Sequence, residues 1–157
     1  MPHVVYIHIM TRMDDLFDDV AGRCAAVRTL GTARVITRHF DVALRPVGLT
    51  ITQFTLLVTI GQMKPESISQ IGQWLNIDRT SLTRNLKPLE DAGYVTRGKE
   101  GPARKRKIDL TPAGAQILEK AYPLWQKAQG KVEARFSGDG YNDAKMALKS
   151  LRSVGSA

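Results

Sequence analysis

The feature that most restricts the fold of this chain is segment 76–98, which reads NIDRTSLTRNLKPLEDAGYVTRG. On a helical wheel of about 100° per residue, Leu86 and Leu89 each lie within roughly 40° of Leu82, and the three leucines form an apolar stripe. The opposite side carries hydroxyl groups and cations, which come from Thr80, Thr83, Arg84 and Lys87. The only acid there is Asp91, at the far end. The pattern predicts a short helix with one buried side and one side suited to phosphates and base edges.

Cap and turn signals divide the surrounding chain into short elements. Asp78 is the predicted N-cap of this helix, and Gly93 closes it in the C′ position. Two helices are predicted upstream, each beginning at a capping hydroxyl, Thr50 or Ser67. Downstream, YVTRG and RKIDL are predicted as strands around the polar loop KEGPARK. Helices followed by a hairpin between residues 49 and 111 predict a winged helix-turn-helix.

Long helices are predicted on both sides of this unit. From Asp14 to Arg45 the chain has no proline, and a helix of that length would reach about 48 Å. A second long helix is predicted from Pro112 to Phe136, with a short final helix after it. We expect 14–46 and 112–154 to form a helical dimerisation layer, with 1–13 as an N-terminal tail and 49–111 as the winged domain. The predicted fold is mainly α (α+β), a winged helix-turn-helix with long N- and C-terminal dimerisation helices.

The charge of the chain is concentrated in one stretch. The chain has 157 residues, a formal net charge of +8 and a pI near 9.9. Between Asp78 and Lys107 we count nine Lys or Arg against four acids, so this stretch supplies +5 of the +8. A run of charge can also be a solvated face. Clustering beside a polar helix face instead favours a polyanionic partner.

Other classes of protein are disfavoured by the cysteine count and the hydropathy. A single cysteine, Cys24, excludes an internal disulfide framework and is typical of the reducing cytoplasm. No run approaches the roughly 20 apolar residues that a membrane span needs. The opening MPHVVYIHIM lacks a basic leader and a small-residue cleavage site, so no signal peptide is predicted. We therefore expect a cytoplasmic protein without a membrane partner.

Three motifs, in order and at matching spacing, resemble the MarR family of bacterial transcription regulators. They are GLTITQFTLL, DRTSLTRNLKPLEDAGYV and IDLTPAG. The resemblance spans roughly residues 14–154 and implies a homodimer that binds a pseudo-palindromic operator in double-stranded DNA. It also implies release of the DNA by a small aromatic acid or by oxidation. The family's acid and paired arginines in the wing correspond here to Pro102, Ala103 and Arg104, so the usual acid-arginine bridge of the wing is not expected.

Two groups of residues are predicted to contact DNA. The first is the outer face of the recognition helix: Arg79, Thr80, Thr83, Arg84 and Lys87. Arg84 is the preferred base reader because arginine can pair in a bidentate way with guanine. The second group is the cationic wing: Lys99, Arg104, Lys105 and Arg106. A cationic hairpin beside such a helix would reach backbone phosphates or the minor groove, and solubility alone is the competing explanation.

An effector or redox site is predicted less specifically. Arg23, Arg34 and Arg38 could hold the carboxylate of an aromatic acid, or could instead pair with acids at the surface or in a dimer interface. Cys24 could be a redox sensor or simply a small buried hydrophobe. His39 adjoins Arg38 and completes this candidate set. The sequence has no histidine pair at metal-ligand spacing, so no metal and no cofactor are predicted.

The predicted function is a dimeric, sequence-specific DNA-binding regulator, a repressor that is released by an aromatic ligand or by oxidation. The alternative is a basic architectural protein that coats DNA without choosing a sequence. An enzyme is not expected, because the sequence has no phosphate-cradling glycine loop and no nucleophile elbow.

Overall fold

The computed structural model describes residues 2–98 and 107–154, with side chains from residue 12 onward, and this part of the chain is mainly helical. The elements are α1 (Pro2–Arg23), α2 (Ala25–Leu44), a 3₁₀ turn (Arg45–Val47), α3 (Ile51–Met63), α4 (Ile68–Leu75), α5 (Arg79–Asp91), β1 (Val95–Arg97), β2 (Ile108–Leu110), α6 (Pro112–Glu133) and α7 (Gly140–Ser153). The order of elements between α3 and β2 is the predicted winged helix-turn-helix.

The N-terminal helical region differs from the prediction in two ways. Helix α1 begins at Pro2 instead of Asp14, so residues 2–13 have helical backbone where a tail was expected. Proline is favourable at the first helical position because the N–H it lacks has no partner there. The expected single helix is also divided at Cys24. Beside the break, the Arg28 guanidinium donates to the carbonyl of Gly22 at 2.6 Å, and glycine is a weak helix former.

The winged domain is built around one apolar core. Helix α3 begins with the predicted capping box, in which Thr50 and Gln53 each accept a hydrogen bond from the backbone N–H of the other. Its buried leucines meet those of α5, and Leu82, Leu86 and Leu89 are almost fully buried. Burying a leucine stabilises a fold by about 1.5–3 kcal/mol. The predicted apolar stripe is therefore what holds α5 on the domain.

The wing and α6 are joined by close backbone packing. Strands β1 and β2 are antiparallel, with Val95 opposite Leu110 and Arg97 opposite Ile108. A Cβ atom added to Gly114 would overlap the carbonyl oxygen of Tyr94 and lie 2.7 Å from Cδ1 of Leu110. Only glycine fits there, which explains why the motif after β2 places a glycine in the first turn of α6.

The contacts divide the chain into two compact units, Met1–His39 and Phe40–Ala157. In the second unit, Asp41 accepts a hydrogen bond from the backbone N–H of Ile51 at 2.7 Å, which ties the end of α2 to the start of α3. Within the described residues, no single helix is long and apolar enough to cross a membrane. One pair of helices, Ala25–Val47 with Ile51–Met63, would together be long and apolar enough for a membrane span, but the pair is bent by 76° and qualifies by length and composition only.

Candidate nucleic-acid interface

Local signals fix the turn between α4 and α5. Asn76 adopts a left-handed backbone at φ +52°, and Asp78 accepts the backbone N–H of Ser81 at 2.9 Å. Hydrogen bonds from Ser81, through its side chain first and its backbone second, lower the pKa of Asp78. A Cβ on Gly72 would lie 3.0 Å from the carbonyl oxygen of Ile77, so α4 and the turn approach closely. These contacts set the direction in which α5 leaves the turn.

The outer face of α5 is open. All five residues predicted for the recognition helix are exposed, while the three leucines on the other side are buried. The same five residues line a surface concavity of about 630 Å³, together with Pro88 and Asp91. Pro88 lies inside α5, beyond the turns that carry Thr80 and Arg84. The structure therefore places these predicted residues together on one accessible surface.

The side chains on this face of α5 differ in whether they already have a hydrogen-bond or ion-pair partner. The Thr83 hydroxyl donates to the carbonyl of Arg79 at 2.8 Å, which leaves its oxygen able to accept. The Lys87 ammonium lies 3.1 Å from each carboxylate oxygen of Asp91. Within the described part of the chain, the guanidinium groups of Arg79 and Arg84 have no hydrogen-bond or ion-pair partner. Arg84 is thus the arginine near the middle of the face that is available to an external acceptor.

An ion pair that the sequence did not predict joins α5 to the wing. Glu90, in the last turn of α5, pairs with the guanidinium of Arg97 in β1, and their side chains are 25% and 29% exposed. The two residues lie on opposite sides of the turn at Gly93, so no helical or strand periodicity relates them. Lys107 and Asp109 form a second pair at 2.9 Å, between a flanking residue and β2. The predicted wing contacts Lys99, Arg104, Lys105 and Arg106 lie outside the described residues.

Comparison with known proteins agrees with this geometry. The MarR family model matches residues 49–100. The structure of the Mycobacterium tuberculosis transcriptional regulator MosR in complex with DNA is 34% identical, covers 83% of this chain and 96% of that one, and has a TM-score of 0.72. The chain belongs to the MarR family. It is a transcriptional regulator, and the expectation that it is not an enzyme is confirmed by the family.

Two other proteins similar to this MarR-family chain are also transcriptional regulators. The organic hydroperoxide resistance transcriptional regulator of Bacillus subtilis is 28% identical over 121 residues, 76% of this chain and 81% of that protein. The HTH-type transcriptional repressor Rv2887 of Mycobacterium tuberculosis is 27% identical over 120 residues, which cover 76% of this chain and 86% of that protein. A structure of Rv2887 in complex with salicylic acid shares the fold, with a TM-score of 0.63 and 24% identity over 82% of this chain and 96% of that one.

The candidate effector residues of this MarR-family regulator lie on α1, on α2 and, for Cys24, at the break between them. Arg23 is already paired with Asp19, at 2.5 Å between Nε and Oδ1. Arg34 and Arg38 are exposed, one helical turn apart on α2. Cys24 and His39 are half-buried. The effector and redox roles of these five residues stay predictions. Among the described residues, no group of three or more His, Cys, Asp or Glu could hold a metal ion.

Proposed function

We propose that this chain is a homodimeric repressor that binds a pseudo-palindromic operator in double-stranded DNA, in the cytoplasm and without a cofactor. The observation that carries the proposal is the outward face of α5, where five polar or cationic side chains are exposed above a row of buried leucines. The major groove of B-DNA is about 12 Å wide and admits an α-helix. In the proposed complex, this face of α5 enters that groove.

The side chains of this face are assigned different roles. Arg84 lies toward the middle of the helix and has no partner among the described residues, so its planar guanidinium is free to meet guanine O6 and N7. Arg79 and Thr80 lie in the first turn, where backbone phosphates are the expected partners. Lys99, Arg104, Lys105 and Arg106 are proposed to contact phosphates or the minor groove from the wing.

Apolar side chains at the surface of the helices outside the wing support the homodimer. On α1, Leu16, Phe17 and Val20 are between 46% and 56% exposed, and on α7 Met146 and Leu151 are 61% and 47% exposed. Large exposed apolar patches are typical of protein interfaces. We propose that a second copy of the chain covers these apolar side chains, as the family resemblance implies. Sedimentation should give a dimer, and a folded monomer at micromolar concentration would contradict this part of the proposal.

A binding titration distinguishes the proposed repressor from a protein that coats DNA. Duplexes enriched from a random pool by repeated binding would be compared with scrambled duplexes of the same composition, over a series of salt concentrations. A regulator should prefer the enriched duplex by about 10³-fold or more. A ratio near one at every salt concentration would instead support non-specific coating. Repression itself would be tested by placing the enriched sequence at a promoter with a reporter gene.

We further propose that a small aromatic acid releases the DNA. The salicylic acid complex of Rv2887 motivates the choice of ligand class, and the exposed pair Arg34 and Arg38 supplies cationic partners for a carboxylate. Salicylate added to the labelled complex should release the duplex, and Arg34→Ala with Arg38→Ala should reduce the release. Peroxide treatment of the wild type and Cys24→Ser tests the redox alternative, since only the wild type should respond.

A further inference from the structure

Asp91 occupies an unexpected place in the candidate interface. It is the only acid among the described residues that line the concavity on α5, where the other charged members are Arg79, Arg84 and Lys87. Its carboxylate lies 3.1 Å from the Lys87 ammonium through each of its oxygens. The two side chains are 62% and 72% exposed, so both can be reached by a partner in solution.

Helix stability does not explain this acid. Asp91 is the last residue of α5, where the negative end of the helix dipole disfavours a carboxylate. The order lysine then aspartate, four residues apart, is also the less favourable orientation of a helical ion pair. Glu90, the neighbouring acid, differs because it is tied to Arg97 in the wing. Asp91 pairs only with Lys87 in the described structure, so its effect is exerted on the outer face.

We infer that Asp91 is a specificity-determining residue, which holds the Lys87 ammonium in the free protein and so reduces binding to DNA of unrelated sequence. The inference rests on the proposed function, in which this face of α5 meets DNA. Non-specific affinity comes almost wholly from cations that neutralise phosphates. A lysine already paired with a carboxylate adds less to that affinity, and the carboxylate itself repels phosphates.

Asp91 affects the affinity for the enriched duplex differently from the affinity for a random duplex. On the enriched duplex, the contacts of Arg84 and its neighbours fix the register of the helix, and Lys87 can exchange Asp91 for a phosphate or base acceptor at a defined position. On a random sequence no such contacts compensate for separating the pair. Asp91 therefore lowers the affinity for random DNA more than the affinity for the operator, and the specificity ratio rises.

The experiment compares Asp91→Asn with the wild type on fluorescently labelled enriched and scrambled duplexes over a salt series. The variant should bind the scrambled duplex about two- to fivefold more tightly per subunit, the range expected for one exposed ion pair. The slope of log K against log salt should steepen by about 0.9 for each additional phosphate that the protein neutralises. The enriched duplex should change less, so the specificity ratio should fall. In a Lys87→Ala background, Asp91→Asn should have a smaller effect, because only the direct repulsion between the carboxylate and the phosphates remains to be removed.

A matched control is available on α1. Asp19 and Arg23 also form an ion pair four residues apart in the sequence, at 81% and 51% exposure for the arginine and the aspartate, so Asp19→Asn makes the same change of charge on a different helix. The inference is overturned if Asp91→Asn behaves like Asp19→Asn, or if it weakens only the enriched complex, which would make Asp91 a base reader. An undiminished effect without Lys87 would also overturn it. If the wild type binds neither duplex in a salt-dependent way, the proposed function itself fails, and this outcome is distinct from the others.

Discussion

Glu90 and Arg97 form an ion pair across the turn at Gly93, which joins the last turn of the recognition helix to the first strand of the wing. About a quarter of each side chain is exposed, so the pair is better shielded from solvent than the other ion pairs of the described structure. The two elements proposed to contact DNA are thereby held together by a contact between charged side chains as well as by the backbone. The pair therefore provides a bridge between α5 and β1.

We predict that Glu90→Gln loosens the wing. Replacing the carboxylate by a neutral amide leaves the half-buried Arg97 guanidinium without an opposite charge, and the protein should lose about 1 kcal/mol in free energy of unfolding. Hydrogen exchange at the amides of β1 should become faster. Glu119→Gln, an exposed change of the same kind on α6, is the control. Unchanged exchange in β1 would mean that the backbone ladder alone fixes the wing.

The first turn of α6 provides a sharper stability test. In Gly114→Ala the new methyl group would overlap the carbonyl oxygen of Tyr94 and meet Leu110, so α6 and the wing must move apart. We expect a loss of at least about 2–3 kcal/mol. Gly130→Ala, in the same helix with no atom within 4 Å of the added carbon, should be neutral or stabilising. Denaturant unfolding of both variants measures the difference, and equal effects would refute the close packing at Gly114.

The sequence predictions were correct where the interaction joins residues that lie close together in the chain. The caps at Thr50, Ser67 and Asp78 join residues three apart, so residue type and spacing were sufficient, and each accepts the expected backbone N–H. The buried face and the exposed face of α5 could also be predicted, because the period of a helix determines which side chains lie on the same side.

Contacts between distant segments were not predictable in the same way. The close approach of Gly114 to the Tyr94 carbonyl depends on how α6 packs on the wing, and the Glu90–Arg97 pair depends on the turn between these two residues. The division of the long N-terminal helix at Cys24 was also missed. The hydrogen bond from the Arg28 side chain to the carbonyl of Gly22, beside the break, joins residues six apart and follows from no helical pattern.

The N-cap of the recognition helix should make stability depend on pH. Hydrogen bonds from Ser81 lower the pKa of Asp78 in the folded protein. A lowered folded pKa means that the stabilisation is complete above the pKa of the unfolded chain and disappears as the pH falls through the folded value. Asp78→Asn keeps a capping oxygen but does not titrate. We therefore expect the wild type to be at least as stable as Asp78→Asn at neutral pH and to lose stability relative to it on acidification below about pH 4. Thermal melts of both proteins over the acid range measure this, and parallel curves would assign no role to the ionised cap.

The two arginines of the recognition helix should differ in how they affect sequence choice. Arg84 is proposed to read a base, so Arg84→Ala should weaken binding to the enriched duplex by about tenfold or more, the loss expected for one bidentate guanine contact. Its effect on a scrambled duplex should be smaller, so the specificity ratio falls. Arg79→Ala removes the same charge from the first turn of α5, where phosphate contact is expected, and should weaken both complexes similarly. Titrations of both variants on both duplexes at one salt concentration separate these roles. Equal losses on the two duplexes for Arg84→Ala would make it a backbone contact, and base reading would then have to be assigned to Thr80, Thr83 or Lys87.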